Sequence, residues 1–335
     1  MRLICVLANT LMKNFSKVYS AELEGIEAKL IEVETDINVG LHSFNIVGLA
    51  DKSLNEAKER VNAALKNSNI KPPNRENRRI TVNLAPADIK KAGSQYDLAI
   101  AVGYLLATKQ IRNFDTENKI FIGELSLEGN LRPVNGVLAT ARLAKKLNFQ
   151  YLFVPKQNAV EAAIIKGIKV IPISNLAELI DCLEGRMEIK TQEETELDFD
   201  LSEPTIDISQ VKGQENAKRA LMISAAGGHN IIMIGPPGAG KTMLAKRLPT
   251  IIPPLTLREA LETTKIHSVA GKMDRETSLM TRRPFRSPHH TISDVALVGG
   301  GCEKQKKMRN THKMMRQWIL NTEIKFQNYM SYWYI

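Results

Sequence analysis

The chain contains the stretch Gly235-Pro236-Pro237-Gly238-Ala239-Gly240-Lys241-Thr242, which fills every fixed position of the pattern G-x-x-x-x-G-K-[ST]. This is the Walker A pattern of a phosphate-binding loop. The apolar, β-branched run at residues 229–234 predicts a strand before it, and residues 243–248 predict a helix after it. Strand, glycine-rich loop and helix form the context that such a loop requires.

The residues of this pattern suit the phosphates of a nucleoside triphosphate. Gly238 and Gly240 let the backbone curl so that successive N–H groups point at phosphate oxygens. Lys241 is predicted to neutralise the β- and γ-phosphates, and the Thr242 hydroxyl is predicted to bind the Mg²⁺ of the nucleotide. A chance glycine turn before a helix is the alternative, and the flanking pattern disfavours it.

Composition sets the broad class of protein. The 335 residues are enough for about two domains, and 43% hydrophobic with 24% charged residues is typical of a soluble globular protein. No apolar run approaches the length of a membrane-spanning helix, so no membrane partner is expected. Three distant cysteines, Cys5, Cys182 and Cys302, suggest neither a disulfide framework nor a zinc site, and they favour a reducing cytoplasm.

The net charge of +10 is unevenly distributed. Residues 302–335 hold seven Lys or Arg against two Glu, so half of the excess lies in the last tenth of the chain. The rest of the chain is therefore not basic enough for its charge alone to indicate a nucleic-acid-binding protein.

The first half of the sequence predicts an α/β domain over residues 17–186, preceded by an irregular extension at residues 1–16. Alternating or apolar runs predict its strands, and periodic apolar residues predict its helices, the first of them capped by Asp51. The predicted strands cover residues 27–37, 44–48, 79–84, 119–124, 151–154 and 169–173. The predicted helices cover residues 51–66, 96–108, 137–147, 159–166 and 176–183, and a hairpin is predicted at Gly129-Asn130.

An acidic linker is predicted at residues 187–205, where seven acids between residues 188 and 203 face a single Lys. The second domain, residues 206–301, opens with a predicted helix at residues 216–226 and contains the phosphate loop. Residues 302–335 form an off-pattern basic tail. This tail offers residues 318–320 and 329–335 as apolar cover for the loop strand.

Ordered motifs resemble those of the magnesium-chelatase-like AAA+ ATPases of the ComM/YifB family. They include IxQVKGQExAKRAL at residues 208–221, the phosphate-loop segment, IPPL, EALE, IHSVAG and RPFRSPHHTIS. Three segments of the first domain agree, namely residues 17–28, 45–51 and 124–138. The similarity runs from about residue 17 to residue 301.

This resemblance implies a ribosomal-S5/Lon-protease-like fold for the first domain and a P-loop AAA+ domain, here incomplete, for the second. It also implies ATP and Mg²⁺ as cofactors and DNA as a partner, with branch migration by a helicase during natural transformation as the assigned family role. Family members are usually homo-hexamers, an expectation that does not extend to a chain without the later motifs.

Lon-like domains can carry a Ser/Lys proteolytic dyad. In the matching segment the serine is displaced by one position to Ser94, which leaves Gln95 at the nucleophile position, and Leu138 stands where the lysine would be. Because the dyad needs both members, a non-proteolytic scaffold is predicted.

A basic loop in the second domain is predicted to contact DNA or a neighbouring subunit through Arg282, Arg283, Arg286, His289 and His290. The alternative is a solvated loop held rigid by its prolines. A metal site at the adjacent histidines is disfavoured, because neighbouring side chains diverge and Asp294 is the one acid at ligand spacing.

The sequence departs from the family after Gly301, where the Walker B strand with its Asp and Glu should follow. Those acids help to hold Mg²⁺ and to position the attacking water, so this chain is expected to bind ATP without hydrolysing it. The alternative is a truncated, catalytically dead product whose first domain is a binding module. Mg²⁺ insertion into a porphyrin rests only on the name of a related subunit.

Overall fold

The computed structural model describes residues 14–49, 51–73, 77–195, 206–273, 279–287, 324–325, 327–329 and 332–334. They divide into two compact units. Unit 1 is drawn from Met1–Leu197 and Thr264–Leu279, and unit 2 from Asp198–Thr263 and Met280–Ile335. Among the helices of these described ranges, none is long and apolar enough to cross a membrane.

A seven-stranded mixed sheet organises unit 1, with the strand order β3-β4-β2-β1-β5-β8-β9. Its strands are β1 (Phe15–Glu24), β2 (Glu27–Val39), β3 (Ser43–Val47), β4 (Arg78–Ala85), β5 (Lys119–Phe121), β8 (Tyr151–Pro155) and β9 (Lys169–Ile173). A separate two-stranded ribbon pairs β6 (Glu124–Leu125) with β7 (Leu131–Arg132). The β1–β2 and β2–β4 pairs are antiparallel, and the other four pairs of the main sheet are parallel.

Helices cover both faces of this sheet. They are α1 (Lys52–Asn67), α2 (Asp97–Ala107), α3 (Val137–Lys146), α4 (Ala159–Ala162) and α5 (Leu176–Leu183). Phe121 and Phe153 belong to one buried cluster, and their strand neighbours Ile120 and Leu152 belong to another. Because successive strand residues point to opposite faces, the two clusters lie on opposite sides of the sheet. Unit 1 is thus an α/β/α sandwich with two cores.

Local signals account for most of these elements. The Asp51 side chain accepts from the backbone N–H of Leu54 at 3.1 Å and caps α1, as predicted. Every residue of α2 is buried, which confirms the predicted apolar helix. The predicted strand at residues 119–124 ends at Phe121, because the Gly123 N–H donates to the Gln95 carbonyl and turns the chain toward the start of α2.

Two elements of unit 1 differ from prediction. Strand β1 begins at Phe15 and lies near the middle of the sheet, although no strand was predicted there. Its alternating burial was visible in the sequence as apolar and small residues at every second position. Helix α4 ends at Ala162, short of the predicted residue 166, and turns follow it up to Gly167, which has a φ of 89°.

The first half of the predicted linker is attached to unit 1. The Gln192 N–H donates to the Val170 carbonyl at 2.9 Å, and the Thr195 hydroxyl donates to the Val160 carbonyl at 2.7 Å. Residues 187–195 therefore follow the edge formed by β9 and α4. The predicted linker residues from 196 to 205 lie outside the described ranges.

We expect limited proteolysis of the full chain to release a resistant fragment whose C-terminus lies between residues 195 and 204. Backbone hydrogen bonds hold the chain up to Thr195, and the acidic composition beyond it predicts a linker. Mass spectrometry of the fragment identifies the cut. A cut before Gly185, or uniform digestion of the whole chain, would contradict this organisation.

Unit 1 also includes the end of a helix that follows the phosphate loop in sequence. Helix α8 (Leu257–Val269) is preceded in the chain by α6 (Glu215–Gly227) and α7 (Lys241–Arg247). Lys265 forms an ion pair with Glu27 at 2.6 Å, and the Ser268 hydroxyl donates to the Glu161 carboxylate. Burial raises the pKa of Glu161, whose carboxylate also accepts from the Leu138 N–H at 3.0 Å. The IHSVAG motif thus contributes to the interior of unit 1.

Unit 2 has a small core beside the phosphate loop. Five buried residues form it, namely Val211, Leu221, Leu244, Ala245 and Leu248. Strand β10 (Ile232–Ile234) leads into the loop and pairs antiparallel with the tail strand β14 (Tyr332–Tyr334), which in turn pairs with β13 (Gln327–Tyr329). Strand β11 (Phe285–Arg286) pairs parallel with β12 (Ile324–Lys325). The predicted cover at residues 318–320 lies outside the described ranges.

Candidate nucleotide site

The phosphate loop connects β10 to α7 through a glycine-dependent turn. Gly238 and Gly240 have φ values of 82° and 79°, in the left-handed region that side chains with a Cβ rarely adopt. Among the described residues, no atom lies within 4 Å of the point where a Cβ at Gly238 would stand, so these residues leave the space beside the loop open. The two glycines therefore have the backbone conformation that their place in the pattern predicted.

The Lys241 side chain folds back onto the backbone of its own loop. Its Nζ donates to the carbonyl of Gly235 at 2.5 Å and to the carbonyl of Pro236 at 2.8 Å. The ammonium therefore sits at the concave side of the turn and is held by two neutral acceptors. A phosphate is a stronger partner for this cation, because hydrogen bonds between ionised groups are roughly twice as strong as neutral ones.

Thr242 follows Lys241 at the start of α7 and is exposed. Within the described ranges no group hydrogen-bonds its hydroxyl. The hydroxyl is thus available to a ligand on the open side of the loop. The backbone of the predicted residues Gly235 to Thr242 is thus compatible with a nucleotide phosphate chain, whose Mg²⁺ the Thr242 hydroxyl would bind.

The carboxylates in the described part of unit 2 are bonded to other groups. Four Asp or Glu residues lie in the described part of unit 2, and each bonds a neighbour: Asp207 with Ser209, Glu215 with Lys218, Glu259 with Thr256 and Arg283, and Glu262 with Arg258. The described tail strands contain no acid. No group of three potential metal ligands occurs in the described ranges.

The basic loop divides into residues of different exposure. Arg283 donates from Nε to the Pro253 carbonyl at 2.8 Å, lies 3.6 Å from a Glu259 oxygen, and has a side chain only 9% exposed. Its guanidinium thus stabilises unit 2 itself. Arg282 and Arg286 are exposed, whereas His289, His290 and Asp294 lie outside the described ranges.

The residues at and next to the positions of a Lon-type Ser/Lys dyad make other contacts. The Ser94 hydroxyl donates to the Glu124 carboxylate, and Gln95 donates from Nε2 to Glu22 at 3.1 Å. Leu138 is buried at the start of α3. Lys91, near Ser94 in sequence, donates instead to the Pro86 carbonyl. These contacts provide no serine activated by a lysine.

Two buried polar groups of unit 1 were not predicted. Glu22 on β1 accepts from the Tyr96 hydroxyl and from Gln95, and burial raises its pKa. Asp97 is paired with Arg60 through two hydrogen bonds of 2.6 and 3.0 Å. The signal for Asp97 was present in the sequence, since it is the single charged residue of an otherwise apolar helix.

Both parts of the chain match family models of magnesium chelatase. The family model "Subunit ChlI of Mg-chelatase" matches residues 33–158, and "Magnesium chelatase, subunit ChlI" matches residues 207–312. The second match includes the whole phosphate loop. Lon protease 2 of Bacillus subtilis is 27% identical over 172 residues, which cover 45% of this chain and 30% of that protein.

Longer matches extend across both units. Competence protein ComM of Haemophilus influenzae is 40% identical over 288 residues, and YifB of Salmonella typhimurium is 41% identical over 287 residues. Each match covers 85% of this chain and 55% of the relative, so the chain spans a little over half of their length. Together with the two family matches, this similarity shows that the chain belongs to the magnesium-chelatase ChlI family and is of the ComM/YifB-like type.

Proposed function

We propose that the chain binds ATP with Mg²⁺ through Gly235 to Thr242 and acts in the cytoplasm as a AAA+ protein linked to DNA. The observation that carries the proposal is the loop itself, in which Gly238 and Gly240 are left-handed and the Lys241 ammonium donates to the Gly235 and Pro236 carbonyls. On binding, Lys241 would exchange its two carbonyl partners for phosphate oxygens. Unit 1 would have the S5/Lon-like fold, and unit 2 would be a partial AAA+ domain.

ATP hydrolysis is not part of this proposal. Mg²⁺ promotes phosphoryl transfer by neutralising charge on the β- and γ-phosphates, and a carboxylate is needed nearby to hold it and to orient water. The four acids in the described part of unit 2 are bound to other groups. The described residues of unit 2 would therefore bind and orient the triphosphate without activating a water molecule.

DNA is proposed as the partner on two grounds. One relative carries the name competence protein, which associates that protein with competence. The second is charge, because Arg282 and Arg286 are exposed on the basic loop of unit 2. Cations at such positions attract a polyanion without reading its sequence. Branch migration is a further proposal, and it comes from the family resemblance.

A second candidate function is a binding module formed by unit 1. The supporting observation is the unequal burial of the two units. Unit 1 has two extensive cores, whereas the loop strand of unit 2 leaves Ile232 and Ile234 49% and 67% exposed. Large apolar side chains that stay exposed contribute little burial energy to the unit that carries them. In this case unit 1 would bind its partner with or without nucleotide.

Equilibrium titration of the full chain with a fluorescent ATP analogue tests the first candidate, with competition by unlabelled ATP, ADP and AMP. We expect ATP and ADP to compete well and AMP to compete poorly, because the loop recognises phosphates beyond the first. Equal competition by AMP, or no binding at all, would reject the phosphate loop as a nucleotide site and leave the binding-module function.

A further inference from the structure

The turn between β2 and β3 presents apolar side chains to solvent at one end of unit 1. Val39 is 93% exposed and Leu41 is 91% exposed, on either side of Gly40. The turn is anchored, because the Gly40 N–H donates to the Asn77 carbonyl at 3.3 Å and all 8 residues of β4 pair with β2, Arg78 lying opposite Val39 beside the turn. The two exposed apolar side chains thus lie on a connection whose flanking strands, β2 and β3, both pair with β4.

Arginines lie directly beside this turn. In the β2–β4 register Arg78 is opposite Val39 and Arg79 is opposite Asn38, and Arg79 is also opposite Ser43 of β3. Arg79 is exposed, and none of the ion pairs formed by the described residues includes it. We name residues 39–42 together with Arg78 and Arg79 the β2–β3 tip. The tip combines exposed apolar side chains on the turn with arginines at the adjacent end of β4.

Unit 1 has two further exposed lysines, at the chain segment before β4 and after α2. Lys71 is in the segment that leads into β4, and its backbone N–H donates to Gln110 Oε1 at 3.1 Å, which places it beside Lys109. Lys71 and Lys109 are both exposed. The nearest acid in the β2 register is Asp36, whose carboxylate accepts from Asn38 Nδ2 at 2.6 Å. Within the described residues 38–43 and 77–79, Arg78 and Arg79 are the Lys, Arg, Asp or Glu residues, so the charge at the tip itself is positive.

We propose that the β2–β3 tip is a DNA-binding wedge, in which Leu41 and Val39 contact base faces at a duplex end or junction and Arg79 contacts phosphates. Apolar side chains inserted at base steps, with cations on the flanking backbone, are a recurrent way of binding and unstacking DNA. The backbone contacts would position the tip without specifying sequence. This inference rests on the proposed link to DNA and names the surface that provides it.

Other partners fit the tip less well. A membrane surface would also accept an apolar and basic point, but stable attachment needs more apolar surface than even one acyl chain supplies. Two exposed side chains fall short of that amount. A second copy of the chain would bring an identical basic tip against this one at a two-fold contact, which like charges oppose.

Fluorescence anisotropy of the full chain with a labelled forked duplex tests the proposal. Leu41→Ser is expected to weaken binding about 10-fold with an unchanged salt dependence, because an apolar contact releases no counterions. Arg79→Gln is expected to weaken binding and to reduce the slope of log affinity against log salt by about 1, the effect of one lost phosphate contact. The matched controls are Leu127→Ser and Lys145→Gln, both exposed elsewhere on unit 1, and they should bind normally.

A second readout reports on the wedge directly. A 2-aminopurine base at the fork should brighten when the wild-type chain binds, because unstacking relieves its quenching, and Leu41→Ser should abolish the increase. Normal affinity and brightening in both tip variants would overturn the inference while leaving the link to DNA intact. Absence of DNA binding by the wild-type chain would overturn both.

Two additional samples separate the remaining outcomes. Lys241→Ala should bind the forked duplex at the wild-type affinity, since the tip belongs to unit 1, and this holds whether or not the chain binds ATP. Co-sedimentation with phosphatidylserine-containing vesicles tests the membrane alternative. Vesicle binding that Leu41→Ser abolishes, together with DNA binding that it leaves unchanged, would show that the tip is a membrane contact.

Discussion

Replacing Lys241 with alanine should lower the affinity for ATP about 100-fold or more, since a hydrogen bond to a charged group contributes about 1.5–3 kcal/mol and two are lost. The fold should be unaffected. Among the described residues the ammonium donates to the Gly235 and Pro236 carbonyls and to no other group, and Pro236 is exposed, so water can replace the lysine there. Isothermal titration measures the affinity, and urea unfolding measures the stability.

The matched control for this variant is Lys246→Ala. Lys246 is an exposed lysine on the same short helix, α7, but it lies outside the phosphate-loop pattern. Its replacement removes the same charge and should change the ATP affinity less than about 3-fold, the scale of a screened surface charge. Equal losses in the two variants would indicate a general charge effect and would contradict a specific role for Lys241.

Replacing Asp97 with alanine should destabilise unit 1 by about 3–5 kcal/mol, the cost of removing one partner of a buried ion pair. Asp97 is fully buried at the start of α2. It accepts from the Arg60 guanidinium at 2.6 and 3.0 Å and from the Leu125 N–H at 3.2 Å. The variant therefore leaves a largely buried guanidinium without its main acceptor and a buried N–H without its carboxylate.

Glu56 offers a matched control, because its carboxylate approaches the same guanidinium at 3.9 Å but is 74% exposed. Glu56→Ala should change the free energy of unfolding by less than about 0.5 kcal/mol, as for other exposed helix pairs. Urea unfolding monitored by circular dichroism provides both values. Similar values for the two variants would show that burial of the Asp97 pair has no energetic consequence.

Much of unit 1 could be predicted from its sequence. Apolar residues repeat every second position in a half-exposed strand and every three or four positions in an amphipathic helix. The strand β9 and the helix α5 accordingly begin and end at the predicted residues. Asp51 was recognised as a cap because its carboxylate and the first turn of α1 are adjacent in sequence. The phosphate loop was found for the same reason, since all its functional groups lie within eight residues.

Interactions between distant residues could not be predicted in this way. The contact of Ser268 with Glu161 joins residues 107 positions apart, and no local pattern indicates it. Arg283 was grouped with exposed cations, although its bond to the Pro253 carbonyl depends on how α8 is placed. Residues 329–335 were expected as apolar cover for the loop strand, but the antiparallel pairing of β14 with β10 was not predicted, because it joins residues about a hundred positions apart.

The central claim is that this chain holds a nucleoside triphosphate at the phosphate loop without turning it over. The most direct test is release of inorganic phosphate from ATP and Mg²⁺ by the purified full chain, measured beside Lys241→Ala, with and without forked DNA. We predict saturable ATP binding in the wild-type chain and phosphate release equal to that of the variant. Steady release in the wild type that Lys241→Ala abolishes would contradict the account, and it would mean that Glu303, Asp294 or a partner chain supplies the missing carboxylate.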